Sequence, residues 1–334
     1  MPREFNVAVA GATGAVGIEM IQTLERRNFP VKNLRLLASA RSAGKKLTYK
    51  GTDITIEELK HDSFKGIDIA LFSAGADISK EYVKSVVDAG AVMIDNSSAF
   101  RMNDDVPLVV PEVNPEDIKW NKGVIANPNC TTIIMLVAVT PLHRAKKLKR
   151  LIASTYQAAS GAGAEGMEEL LSQTRQALNN EVLTPKFFAH QIAFSLIPHI
   201  DVFLEGDYTK EELKMVYESR KMLHCPELKI SCTSVRVPIM RAHSESLNME
   251  FVEDITPAEV REILKNAPGV KLVDDIANKR YPMPIEATGQ GDVLVGRIRQ
   301  DVSRDDRKGI DMFICGDQIL KGAALNAVQI AELL

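Results

Sequence analysis

The sequence predicts an α/β protein, with a doubly wound parallel sheet in its first third and a second α+β domain after it. Three observations carry this. Short apolar runs alternate with amphipathic stretches as far as Ala126, the rhythm of strands joined by crossover helices. A glycine-rich turn, residues 11–17, follows the first apolar run and opens the first amphipathic stretch. Beyond Leu151 the strand-like and helix-like runs segregate instead of alternating.

In chain order, residues 6–10 read as a strand and 15–28 as a helix, and residues 34–38 and 67–73 read as buried strands. Ser79 reads as the N-cap of a helix that stops at Gly90. Residues 91–95 and 123–126 are two more apolar strands, and right-handed crossovers make the set parallel. In the second part, residues 150–159, 229–237 and 248–253 are strand-like, and 166–178, 209–223 and 256–266 are helical, the last with Pro257 at its first position. Residues 293–299 and 310–315 are expected to pair through the polar link 303–309. An amphipathic helix over 323–334 closes the chain.

The bulk numbers exclude several functions. The chain has 334 residues, 45% hydrophobic and 25% charged, enough for one large or two medium domains with a sizeable core. A net charge of −3 offers no basic field for nucleic acid or an anionic membrane. The stretch from Met1 to Asn6 lacks a leader pattern, and the longest strongly apolar run, residues 132–140, is far short of a membrane span. The four cysteines, Cys130, Cys225, Cys232 and Cys315, show no CxxC spacing, which argues against a disulfide framework and a zinc site and for a cytoplasmic setting.

The turn GATGAVG contributes Gly11, Thr13, Gly14, Ala15 and Val16 between a strand and a helix, the context of a Rossmann-like dinucleotide site. Its G-x-x-G-x-x-G spacing differs from the usual fingerprint, which leaves a turn needed only for packing as the alternative. The end of the second strand tips the balance. Where an NAD site places Asp or Glu, this chain has Ser39, Arg41, Ser42, Lys45 and Lys46, a set that suits the 2′-phosphate of NADP.

In the stretch Asn127-Pro128-Asn129-Cys130, a strand ends, proline breaks it and an apolar helix begins at the cysteine. A thiol at a helix N-terminus gains thiolate character, whereas Cys225, Cys232 and Cys315 read as buried and inert. A thiolate beside a nicotinamide attacks an acyl centre, and the thioester then accepts hydride and collapses to an aldehyde. This chemistry needs an acid/base. His243, in a polar turn near Arg236, is mildly preferred over His199 and His224.

These stretches resemble aspartate-semialdehyde dehydrogenase over nearly the whole chain. The similarity runs through GATGAVG, LLASARSAGK, DNSSAFR, VPLVVPEVN, NPNC, STYQAASGAG, YTKEELKM, SVRVP, VGRIR and KGAALNAVQIAE. The resemblance implies reduction of L-aspartyl 4-phosphate to L-aspartate 4-semialdehyde with NADPH, on the route to lysine, threonine and methionine. It makes Cys130 the nucleophile, His243 the acid/base and Gln157 a holder of the substrate near the thioester. It gives Arg236 the substrate carboxylate, Arg101 and Lys214 the departing phosphate, and Glu211 the substrate amine. It gives Gly11, Thr13, Gly14, Ala15, Val16, Arg41, Ser42, Ser160, Gly161 and Gln318 to the cofactor. It also implies a homodimer, with residues 1–127 and 318–334 forming the NADP domain and 128–317 the catalytic and dimerisation domain. Two other readings stand beside it: an N-acetyl-glutamyl-phosphate reductase, and a non-catalytic NADP-binding regulatory protein on the same fold.

Overall fold

The computed structural model describes residues 3–334; Met1 and Pro2, the start of the stretch read as lacking a leader, lie outside the described residues. Contacts divide the chain into two compact units, one running to Asn129 and joined by Ala323–Leu334, the other Cys130–Gly322. The return to the first unit therefore falls at Ala323, not at the expected 318.

The first unit opens with β1 (Phe5–Ala10), α1 (Ala15–Arg26) and β2 (Val31–Ala38), then β3 (Lys46–Tyr49), β4 (Thr52–Glu58) and β5 (Ile69–Phe72). It continues with α2 (Ala76–Asp88), β6 (Val92–Asp95) and β7 (Val124–Ala126). The sheet order is β3-β4-β2-β1-β5-β6-β7, parallel except for the β3–β4 pair. From β1 the chain winds first to one side and then to the other, so the strand order reverses at β1, and a ligand crevice forms at such a reversal. Every residue of β5 is buried, as expected of a parallel strand covered on both faces.

Three expectations are corrected here. Ser79 is not a cap: α2 begins at Ala76, and the buried Ser79 hydroxyl donates to Asp95 Oδ1 at 2.6 Å. Asp95 is itself fully buried and needs such donors. Lys45 and Lys46 do not sit in a simple loop, because Lys46 begins β3 of an unexpected hairpin. Its turn residues, Lys50 and Gly51, have φ of 47° and 76°, the sign a two-residue hairpin turn requires. The closing helix is not uniform either, since a π-helical turn, Leu320–Ala324, precedes α8 (Leu325–Ala331).

The second unit contains α3 (Cys130–Lys146), β8 (Leu148–Gln157), α4 (Gly163–Leu178), α5 (Lys210–Met222), β9 (Lys229–Arg236) and β10 (His243–Phe251). After these come α6 (Pro257–Lys265), β11 (Val270–Leu272), α7 (Pro284–Ala287), β12 (Val293–Gln300) and β13 (Gly309–Gly316). Its mixed sheet runs β11-β12-β13-β10-β8-β9, and β12 pairs antiparallel with β13 as expected. The apolar α3 packs against β8, β10, β12 and β13 and buries most of its length. Capping boxes at Thr209 and Thr256 fix the starts of α5 and α6. Among the described residues no helix is long and apolar enough to cross a membrane.

Candidate active site

In the first unit, the ends of β1, β2, β4 and β5 surround a cleft of about 400 Å³, lined by Gly11, Thr13, Gly14, Ser39, Ala40, Glu58 and Ser73 among others. Gly11 has φ of 84°, and a Cβ there would overlap the Ser73 carbonyl. Gly14 begins α1 without a side-chain cap, and the first turn holds no acid, so free N–H groups meet whatever anion enters. A glycine floor and an uncapped helix end fit a dinucleotide pyrophosphate. Ala15 is exposed and Val16 half-buried on the first turn of α1. Arg41 and Ser42 lie on a short 3-10 turn next to Ala40; Arg41 is exposed, whereas Ser42 is buried.

The cleft also holds an acid that strand-by-strand reading missed. Parallel pairing of β4 with β2 sets Glu58 opposite Ala38, and Lys60 neutralises it across 3.0 Å. Arg101 belongs to this unit too. It is buried, its Nε donates to Asn127 O at 2.9 Å and its Nη2 donates to Asn96 O at 3.0 Å.

The second unit gathers most of the remaining residues. Gln157 ends β8 and Arg236 ends β9, and the two are register partners. His243 begins β10, one step past the Ser244–Tyr156 pair, so it stands at the same end of the sheet. It therefore lies on a strand and not in the expected turn. The left-handed backbone of the preceding residue, Ala242, φ 73°, starts the strand there. Such a φ is unfavourable for alanine, but Ala242 is fully buried in a cluster with Val273, Ala287, Leu294 and Cys315, and its N–H donates to Gln318 Oε1 at 2.8 Å.

Ala158 N–H donates to His243 Nδ1 at 3.0 Å, which places the proton of the neutral ring on Nε2. That Nε2 is buried with no partner. Burial, reinforced by the Arg236 charge, pushes the His243 pKa down to about 3. Arg236 Nη1 donates to Ala158 O at 2.7 Å. Gly161 lies against both groups: a Cβ there would be 2.8 Å from Arg236 Nη1 and 3.1 Å from His243 Nε2.

Cys130 is the first residue of α3 and half-buried. Burial lowers the Arg236 pKa, while the charges of Glu211 and of the Cys130 thiolate raise it, so thiol, guanidinium and carboxylate share one field. Gly322, in the π turn, touches the thiol residue, since a Cβ there would lie 2.9 Å from Cys130 Cβ. Glu211, buried on α5, accepts from Gln157 Nε2 at 3.1 Å and pairs with Lys214 at 3.0 Å. Lys214 also reaches Asp201 at 2.8 Å; burial opposes its charge, but the two carboxylates hold its pKa up.

Gln318 belongs to this unit, and its amide is fixed between Ala242 N–H and the Ser160 hydroxyl. Thus Cys130, Gln157, Gly161, Glu211, Arg236 and His243 form one cluster with Lys214 and Asp201 at its edge, and Ser160 and Gln318 form a second pair beside it. The other cysteines are placed differently. Burial raises the pKa of Cys232, that of Cys315 is pushed up to about 12, and both are fully enclosed in strands. Among the described residues no group of side chains has the makings of a metal site.

Residues 6–121 match the family profile described as "Semialdehyde dehydrogenase, NAD binding domain", and residues 139–321 match "Semialdehyde dehydrogenase, dimerisation domain". The class is thereby defined: a nicotinamide-dependent oxidoreductase of the semialdehyde dehydrogenase type. Aspartate-semialdehyde dehydrogenase of Aquifex aeolicus is 55% identical, with 99% of this chain and 98% of the relative covered. The crystal structure of aspartate semialdehyde dehydrogenase II from Vibrio cholerae complexed with ASA superposes with a TM-score of 0.96 at 44% identity, covering 99% of this chain and 98% of that one. Aspartate semialdehyde dehydrogenase with NADP from Candida albicans superposes at 0.77, with 25% identity and coverage of 99% and 98%. The chain belongs to the aspartate-semialdehyde dehydrogenase family.

Proposed function

We infer that the protein reduces L-aspartyl 4-phosphate to L-aspartate 4-semialdehyde, with release of phosphate, in lysine, threonine and methionine biosynthesis. The observation that carries this reading is the cluster of Cys130, Gln157, Arg236 and His243 at one end of the second sheet, in a chain whose full-length relatives bear that name. The N-acetyl-glutamyl and non-catalytic readings draw no support from those relatives. Cys130 Sγ attacks the acyl carbon and displaces phosphate, leaving a thioester. Gln157, tied to Glu211, holds the acyl group in place, and Arg236 keeps Nε and Nη2 for the substrate carboxylate while Nη1 holds Ala158 O. NADPH, when bound, supplies the hydride. His243 presents Nε2–H to the oxygen on which charge then develops, and collapse frees the aldehyde and the thiolate. Glu211 serves the substrate amine, and Lys214 with Arg101 serves the phosphate.

The deciding assay runs the reaction in reverse: aspartate semialdehyde, phosphate and NADP should yield NADPH continuously, and without phosphate no more than about one NADPH per active site should form. Arg236→Lys keeps the charge but not the fork, so kcat/KM should fall more than about tenfold (~1.4 kcal/mol) with NADP affinity unchanged. A smaller loss would remove Arg236 from the carboxylate site.

For the cofactor we propose NADP over NAD. Arg41 is exposed beside Ala40 at the cleft and can offer two parallel donors to the 2′-phosphate, with Ser39 and Lys45 nearby in sequence. Glu58 would oppose that phosphate, but Lys60 offsets it. Arg41→Ala should raise KM for NADP by about ten- to a hundredfold and leave NAD turnover almost unchanged. Proportionate loss with both cofactors would show that Arg41 does not read the phosphate. The partner is proposed to be a second copy of the chain, in the cytoplasm, with the exposed Phe194, Leu196, Val202 and Phe203 of the second unit available to cover; nucleic acid and membrane are not partners in this reading.

A further inference from the structure

Asp317 directly follows β13 and is fully buried. The register of β13 with β10 sets Gly316 opposite His243, so Asp317 stands where the chain enters β10. Four N–H groups converge on its carboxylate. Arg241 Nε and Gly289 N–H donate to Oδ2, each at 2.7 Å, and Ile319 N–H and Leu320 N–H donate to Oδ1 at 3.0 and 3.1 Å. The backbone oxygen of Asp317 accepts from Gly322 N–H at 3.0 Å as well. Apolar packing could fill the same space without the cost of desolvating a charge, so what the carboxylate adds is the geometry of these bonds.

The two carboxylate oxygens serve two parts of the active-site cluster. Through Arg241, Oδ2 holds the chain two residues before His243. The intervening Ala242 keeps its left-handed backbone, φ 73°, with its N–H bonded to the side chain of Gln318, the next residue after Asp317. Such a conformation persists only while its surroundings impose it. Through Ile319 and Leu320, Oδ1 starts the π-helical turn Leu320–Ala324. Gly322 in that turn lies against the first residue of α3: a Cβ on it would be 2.9 Å from Cys130 Cβ and 3.3 Å from Cys130 O. Single π turns are rare and occur often at functional sites.

We propose that Asp317 is a positioning residue: one carboxylate oxygen fixes the entry of His243 and the other fixes the turn behind Cys130, so that nucleophile and acid/base are held in one arrangement. This rests on the reading of Cys130 as the nucleophile and His243 as the acid/base. Asp317 acts through Arg241 and Gly322. Its donors are not Arg236, Glu211 or Lys214, the groups read as holding substrate, so its loss should slow the chemistry and leave substrate affinity in place. A displacement of about 1 Å between reacting groups costs on the order of a hundredfold in rate.

The test mixes enzyme with aspartate semialdehyde and NADP in the absence of phosphate and follows the single turnover of NADPH by stopped flow. Wild type, Asp317→Ala, Asp317→Asn and Arg241→Ala are compared, with steady-state kcat and KM and thermal unfolding alongside. The burst rate constant reads how well the reacting groups are placed, and the burst amplitude reads the fraction of molecules that are folded and competent. Asp317→Ala should lower the rate constant and kcat about ten- to a hundredfold, with KM for aspartate semialdehyde within about threefold and the amplitude unchanged. Asp317→Asn, which keeps one acceptor oxygen, should fall between Asp317→Ala and wild type. Arg241→Ala, which releases only the His243 side, should lose at least about threefold in rate constant. A folded Asp317→Ala with a wild-type rate constant overturns the proposal, and so does a loss confined to the amplitude, the mark of a purely structural role. If neither Asp317 variant folds, Arg241→Ala with a wild-type rate constant overturns it instead. Cys130→Ala or His243→Asn with undiminished turnover sinks the reading of those residues and this proposal together; impaired Cys130→Ala and His243→Asn beside an unimpaired Asp317→Ala sink this proposal alone.

Discussion

Cys130→Ala should abolish turnover, by at least about 10⁴-fold, while the protein folds and binds NADP as before. No other thiol can substitute: Cys232 and Cys315 are enclosed in strands with pKa values raised by burial, and the Cys225 thiol donates to Glu227, with its pKa also raised. Cys130 alone stands at a helix start within the field of Arg236. Alkylation at neutral pH should accordingly reach Cys130 first, and protection by aspartate semialdehyde would place the thiol at the acyl site. A variant with near wild-type activity would move the covalent step elsewhere.

The second large effect concerns His243. His243→Asn should lower kcat by roughly 10²–10⁴ with little change in KM, because in the proposed reaction the Nε2 donor serves an oxygen that becomes charged only during turnover. The same substitution has an effect on stability whose sign follows from titration. The folded-state pKa is about 3, below the unfolded value of 6.5, so on acidification the unfolded chain takes up this proton first. His243 therefore costs stability progressively as pH falls between those values. The Tm of His243→Asn should gain on that of wild type as pH drops from about 7 to about 4. A constant difference would mean that the ring protonates equally in both states.

Much of this site was legible because its signals are local. A glycine turn between strand and helix, and a cysteine where a proline-broken strand gives way to a helix, each show their structural setting within a few residues. What escaped depends on pairing between distant segments. Ile54 and Ile56 are the only apolar residues of β4, too few to announce a strand, and only its pairing with β2 brings Glu58 to the cleft. Ala242 gave no sign of a left-handed backbone, since alanine has no preference for it; burial and the bond to Gln318 impose it. Ser79 misled for the opposite reason. Its helix-capping preference is real, but the buried Asp95 claimed the hydroxyl.

The first unit takes its final element from the far end of the chain, and this reverses the order of maturation during synthesis. Ala324, Ala327, Val328, Ile330 and Ala331 belong to its core, Asn326 donates to Val109 O at 3.0 Å and to Asn127 Oδ1 at 2.6 Å, and Glu332 pairs with Arg27 at 2.6 Å. Segment 130–322 is continuous and has its whole fold in hand once it has left the ribosome. The segment made before it has to wait. At roughly 5–20 residues per second, the start of the chain spends about 10–40 s with one side of its core uncovered. That interval is when a chaperone has most to shield, and the emergence of Ala323–Leu334 ends it.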